Sequence, residues 1–281
     1  MNLEIIVNEY LLAWYLLYGA SLSKEIDKFR KNLYNKYRKE YNFCYKDKSE
    51  MIKYGKDYIP DNDLLYNEIF NSDFYPSLKK ETNKHKMHLV KILNNDKVIK
   101  KCVKDVLKLE LKDVYQVNVI HPRMECIEYS SSNEVIIWGS DKDKYDVLTI
   151  LMRTITKGMI NIDTEHKEIV DSIIELAVIN EMGRMINKED AYNDGNPTLK
   201  LIKHQIYPFW LMYLGYNTEE TIIDRMIEDK IGFDLDKYPI DKNMKKLNLQ
   251  EFINFCIKNS KHILKLNNVL KIEKEEDIEI I

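Results

Sequence analysis

The hydrophobic period leaves the helical one in a single short stretch, and this limits the folds open to the chain. Outside residues 115–138, apolar side chains recur mostly at three- and four-residue steps, the spacing of helices. Inside that stretch, Tyr115, Val117 and Val119 alternate with Gln116 and Asn118, the pattern of a half-buried strand that His121-Pro122 stops. Cys126–Tyr129 and Glu134–Trp138 are two further short apolar runs. Ser130-Ser131-Ser132-Asn133 lies between them as turn chemistry, so the spacing predicts a hairpin. Only 8 Gly and 6 Pro occur in 281 residues, which disfavours an architecture built on many turns. The expectation is an α+β fold, predominantly helical, with a small sheet near residues 114–138 packed on helices.

The helical segments follow from their stripes and breakers. Leu3–Ala20 is very apolar, yet Glu4, Asn8 and Glu9 interrupt it and no Lys or Arg precedes it. Its clean run, Tyr10–Tyr18, is about half of the ~20 residues a membrane span needs, so a buried helix over 2–18 is expected, with no membrane contact. Residues 23–45 read as one helix with Ile26, Phe29, Leu33, Tyr37 and Tyr41 on its stripe. Gly55, Pro60 and Asp61-Asn62-Asp63 mark a loop, and 83–111 is helical with a break near Asn94-Asn95. Beyond the hairpin, Ser140 or Asp141 caps a helix to about residue 160, and Asp163 or Thr164 caps another to about 186. Asn193–Pro197 is a loop, a Trp- and Tyr-rich helix closes at Gly215, and Glu219–Asp229 follows. Gly232–Pro239 is irregular, and Leu249–Leu266 is a last amphipathic helix. The natural division is a helical part over 1–112 and a mixed part over 113–281.

Net charge is −3, so the chain as a whole is not an electrostatic ligand for nucleic acid. Cys44, Cys102, Cys126 and Cys256 are far apart and form no CxxC pair, which suggests reduced thiols in a cytoplasmic protein. The abundance of Lys, Asn, Ile and Tyr suggests an AT-rich genome.

Strand, helix and second helix follow one another at Glu134–Trp138, Asp143–Ile160 and Glu165–Ile186. The first helix contains Leu151-Met152-Arg153-Thr154-Ile155-Thr156-Lys157, and the second contains Glu175 and Glu181. The order edge strand, helix, helix resembles the gluzincin family of zinc metallopeptidases. In that family the first helix carries HExxH, whose two His share one face and bind zinc, and the second helix supplies a further ligand. The resemblance covers about 134–186 and is one of frame: Arg153 and Lys157 stand at the His positions, Thr154 at the Glu position, and Glu175 best matches the third ligand, with Glu181 second. It implies a zincin-like core without zinc ligands, because neither Arg nor a Lys ammonium has a lone pair to offer a metal. An ion-pair cluster of Arg153 and Lys157 with Glu175 or Glu181 is expected there instead. The plainer alternative is an amphipathic helix with Val147, Leu151 and Ile155 inward and its cations in water.

Other residues carry weaker chemistry. His85 and His88 stand at i and i+3 but in a basic stretch, which suits a solvated face better than a metal. His121 stands at a strand end; Asp163, Glu165, His166 and Glu168 open a helix, where acidic residues meet the helix dipole. His204 sits in the aromatic run ending at Trp210, which reads as core. In helix 23–45, Lys24, Lys28, Arg30, Lys31, Lys36, Arg38 and Lys39 lie opposite the apolar stripe, and Tyr34, Tyr37, Tyr41 and Tyr45 could stack on bases.

The leading expectation is a non-catalytic protein-binding pseudo-metallopeptidase needing no cofactor, either a regulator or an element carried by a mobile genome. One alternative is a metal-dependent hydrolase using His121, His166, His204 and nearby carboxylates. The other is a nucleic-acid-binding protein using Lys24, Lys28, Arg30, Lys31, Tyr34, Lys36 and Arg38.

Overall fold

A computed structural model describes residues 2–93, 97–130, 134–161, 165–187, 192–231 and 240–264. The anticipated break at Asn94-Asn95, the turn residues Ser131–Asn133, the Asp163 and Thr164 caps, the 232–239 segment and the end of the last helix lie outside these residues. The chain forms β1 (Asn2–Ile6), α1 (Glu9–Tyr18), α2 (Lys24–Lys36), α3 (Arg38–Cys44), α4 (Asp47–Tyr54), α5 (Leu64–Phe70) and α6 (Tyr75–Leu93). Next come α7 (Lys97–Lys101), β2 (Val114–Val119), β3 (Cys126–Ser130), β4 (Val135–Gly139), α8 (Lys144–Met159), α9 (Lys167–Glu175) and α10 (Gly183–Asn187). The last helices are α11 (Lys200–Leu214), α12 (Glu219–Glu228), α13 (Leu249–Lys258) and α14 (Ser260–Ile263). The fold is thus α+β and mostly helical. No helix among the described residues is long and apolar enough to cross a membrane.

The chain divides into two compact units. One comprises Met1–Asp96 with Leu111–Ile150, the other Lys97–Glu110 with Leu151–Ile281. Each unit draws on two stretches of chain, where the sequence reading places a single cut between 112 and 113.

The first unit holds a four-stranded sheet in the order β1-β2-β4-β3. β1, β2 and β4 are parallel, and β3 runs antiparallel to β4. This corrects two expectations. Residues 2–6 are not helical, because they pair with β2 in register from Asn2↔Val114 to Ile6↔Asn118. And Val135–Gly139 is an interior strand buried along its length, so β3, not β4, is the antiparallel edge. The helix begins only after Asn8, whose side-chain oxygen accepts from the Leu11 N–H (3.1 Å) while its amide donates to the Gly55 carbonyl (2.9 Å).

In α1 every residue from Leu11 to Leu17 is buried, as an all-round apolar helix must be. Arg30 closes its C-terminal end by donating to the carbonyls of Gly19 (3.0 Å), Ala20 (2.9 Å) and Leu16. The single helix expected over 23–45 breaks at Tyr37 into α2 and α3. The cap of α8 is Asp143 rather than Ser140 or Asp141, its carboxylate accepting from the Asp146 N–H at 2.9 Å.

In the second unit α9 runs through a π-helical stretch, Leu176–Met182, into α10. The aromatic helix α11 packs on α13: Tyr213 lies 4.8 Å and Trp210 5.7 Å from the Phe252 ring, with Trp210 and Tyr213 stacked at 4.9 Å. The expected helix over 249–266 is interrupted at Asn259, between α13 and α14.

Candidate functional site

Two cations one turn apart on α8 face two carboxylates one turn apart on α9. Arg153 Nη2 lies 3.4 Å from Glu175 Oε1, and Lys157 Nζ lies 2.5 Å from Asp171 Oδ1. The i, i+4 spacing on each helix makes this ladder, since residues four apart share a face. Arg153 therefore meets Glu175 as expected, while Lys157 pairs with Asp171 rather than with Glu175 or Glu181. Thr154 is half-buried and stands outside the ladder. On the other side of α8, Val147, Leu151 and Ile155 are fully buried, as its amphipathic period requires.

Glu175 is engaged from a third direction that the sequence reading did not anticipate. Its Oε2 lies 3.6 Å from Lys203 Nζ on α11 and accepts from the Asn196 N–H at 3.1 Å. Lys203 is wholly enclosed; its ammonium also donates to the carbonyls of Asn193 (3.0 Å) and Asp194 (2.8 Å). Burial pulls the Lys203 pKa down, against the opposing pull of Glu175. The Tyr192 ring lies 5.2 Å from the same ammonium. The loop that makes this possible turns at Gly195, where φ is +63° and a Cβ would come within 2.5 Å of Glu175 Oε2. One sequence signal for Lys203 exists: it shares the stripe of Tyr207 and Trp210 on the aromatic helix, at i, i+4 and i+7, so a lysine falls on a core face.

Glu181 belongs to a separate network. It pairs with Arg184 (3.2 Å) and accepts from the Trp210 indole N–H (3.3 Å). Arg184 pairs at 2.6 Å with Asp229, which also accepts from the Tyr207 hydroxyl and lies 3.4 Å from Arg225. Burial raises the Glu181 pKa even with these arginines beside it. Arg184 meets Asp229 across 45 residues and Tyr207 meets Asp229 across 22, so no short window of sequence brings this network together.

The histidines are dispersed. His121 is fully buried; its Nδ1 accepts from the Arg123 N–H (3.3 Å) and its Nε2 lies 3.1 Å from Glu81 Oε2. His85 is buried rather than solvated, while His88, one turn on, is exposed. His204 lies 3.5 Å from Asp194, and His166 precedes α9. Among the described residues no group of three or more His, Cys, Asp or Glu side chains is placed to hold a metal ion. The thiols offer no activated nucleophile: burial pushes Cys44 and Cys102 up to about 12 and Cys126 up to about 11.

The basic helix resolves into two kinds of cation. Arg30 is spent on α1, and Lys36 pairs with Glu68 (3.3 Å), which also accepts from the Tyr37 hydroxyl (2.6 Å). Lys24, Lys28, Lys31 and Arg38 are exposed, as is Tyr34.

Comparison with protein-family models, with curated proteins and with solved structures gives no match.

Proposed function

We propose that this chain is a non-catalytic binding protein, a pseudo-metallopeptidase that works through contact with another protein. The observation that carries the reading is the condition of Glu175. At the position resembling a metal ligand, its carboxylate is divided between Arg153, Lys203 and the Asn196 N–H. Charge that would serve a metal is neutralised by side chains that cannot coordinate one. Lys157–Asp171 is the second rung of the same ladder between α8 and α9. A cytoplasmic setting accords with four free cysteines, three of them buried. Origin in a mobile element belongs to the same reading and rests on composition alone.

Elemental mass spectrometry of protein purified without chelator is expected to find no stoichiometric zinc or manganese, and fluorogenic peptides are expected to stay intact. The variant R153H/T154E/K157H, combined with Lys203→Met to remove the buried cation, is expected to take up one zinc per chain. A protein partner retained in stoichiometric amount through gel filtration completes the expectation. Stoichiometric metal and chelator-sensitive hydrolysis in the native chain would overturn the non-catalytic reading. A folded variant that takes up no zinc would overturn the metallopeptidase frame.

A further inference from the structure

Unit one carries a surface that the Glu175 site does not involve. On α2 the exposed Lys24, Lys28 and Lys31 fall within one narrow stripe, because steps of four and three residues return to the same face. None of the three makes an ion pair among the described residues, nor do Arg38 and Lys39 at the start of α3. The helix carries two acids, Glu25 and Asp27: Asp27 is held by Arg30 (3.6 Å) and Ser21 (2.5 Å), and Glu25 makes no ion pair with these lysines among the described residues. A chain of net charge −3 thus keeps a local run of unpaired cations.

Aromatic rings continue from this stripe. Tyr34 is 37% exposed, with the Arg38 guanidinium 5.6 Å from its ring centre. From Tyr34 a row of rings runs through Tyr41 (5.5 Å) and Tyr18 (4.8 Å) to Tyr45 (5.3 Å), which is 61% exposed. The two inner rings are anchored: Tyr18 donates to the Tyr41 carbonyl and Tyr41 to the Leu17 carbonyl, both at 2.6 Å. The two ends of the row are the rings left open to solvent.

Free cations beside exposed, rigidly backed aromatic rings suit one class of partner. Phosphates meet the lysines while unstacked bases lie on the rings, a combination that a duplex, with its bases already stacked, cannot use. We infer that α2 and α3 form a binding surface for single-stranded nucleic acid, with Lys24, Lys28, Lys31 and Arg38 taking phosphates and Tyr34 and Tyr45 stacking on bases.

Fluorescence anisotropy with a labelled single strand of about 15 nucleotides, in about 50 mM salt, tests this on the full chain. Three further probes are the matching duplex, heparin and phosphatidylserine vesicles. The single strand is expected to bind most tightly, with affinity falling as salt rises. Lys24→Gln/Lys28→Gln/Lys31→Gln is expected to weaken binding about tenfold or more and to reduce the log–log salt slope by about 2. Tyr34→Ala/Tyr45→Ala is expected to weaken single-strand binding about tenfold and leave heparin binding unchanged. A charge-matched control, Lys84→Gln/Lys86→Gln/Lys91→Gln on α6, is expected to bind as the native chain does. No binding at low salt, equal loss in the control, or preference for duplex, heparin or vesicles over the single strand would overturn the inference.

Discussion

Lys203 Nζ lies 3.6 Å from Glu175 Oε2, and the two side chains are 0% and 2% exposed. An ion pair removed from water this completely is stable only while each charge keeps its other partners. Here the ammonium has two loop carbonyls, and the carboxylate has Arg153 and the Asn196 N–H.

Glu175→Ala should therefore leave a buried ammonium without a counter-charge. A loss of about 3–5 kcal/mol in urea unfolding is expected. The double variant Glu175→Gln/Lys203→Met removes both charges and should cost clearly less than Glu175→Ala. A negligible change in Glu175→Ala would dispose of the ion-pair cluster as a structural element.

Gly195→Ala attacks the same cluster from the backbone. A residue with a Cβ is strained at φ +63°, and the added carbon would meet the Glu175 carboxylate. A loss of about 1–3 kcal/mol is expected. Asn193→Ala, which removes the 2.9 Å hydrogen bond that the Asn193 side chain accepts from the Gly195 N–H and keeps the backbone conformation accessible, should cost less. Equal stability of Gly195→Ala and the native chain would show that the loop can turn another way.

Two neighbouring cations on α2 should separate stability from binding. Arg30→Gln removes donors from the carbonyls of Gly19 and Ala20 and should lower stability by about 1–3 kcal/mol. Lys28→Gln, exposed and without an ion pair, should leave the melting temperature within error. Reversal of that order would mean that α1 is terminated by something other than Arg30.

Acid should destabilise the fold through its buried histidines. Burial lowers the His85 pKa below its ordinary value of 6.5; His88 and His121 act in the same sense, while Asp141 and the Ser140 backbone oppose them. The His121 pKa is lowered too, by burial, with Glu81 opposing. The folded chain thus binds fewer protons than the unfolded chain in mild acid. This contribution to stability is complete above the ordinary histidine value and declines as pH falls from about 6.5 through the folded value. His85→Gln should show a shallower decline in unfolding free energy between about pH 7 and 5. An unchanged slope would place the acid sensitivity elsewhere, His204 being the next group lowered by burial.

Local pattern sufficed for some elements and not for others. Asp143, Thr218 and Asn248 cap helices within three residues of themselves, so the starts of α8, α12 and α13 lie close to what a short window shows. The i, i+4 spacing of Arg153 and Lys157 likewise sets them on one face before any partner is known. His85 is buried although its neighbours in the chain are basic, because a basic neighbourhood says nothing about which side of α6 is covered.

What the sequence determined by itself is the alternation of helical and strand periods, and with it an α+β fold whose strands at 114–139 and helices at 144–187 follow in order. These are short-range properties, decided by which side chains share a face. Only the tertiary structure decided that residues 2–6 are a strand, since their ladder partner begins at Val114. It also decided which strand is the edge, and that Lys203 rather than Lys157 completes the ion pairs of Glu175. Those outcomes depend on contacts between segments far apart in the chain, where periodicity states that a face must be covered but not by what.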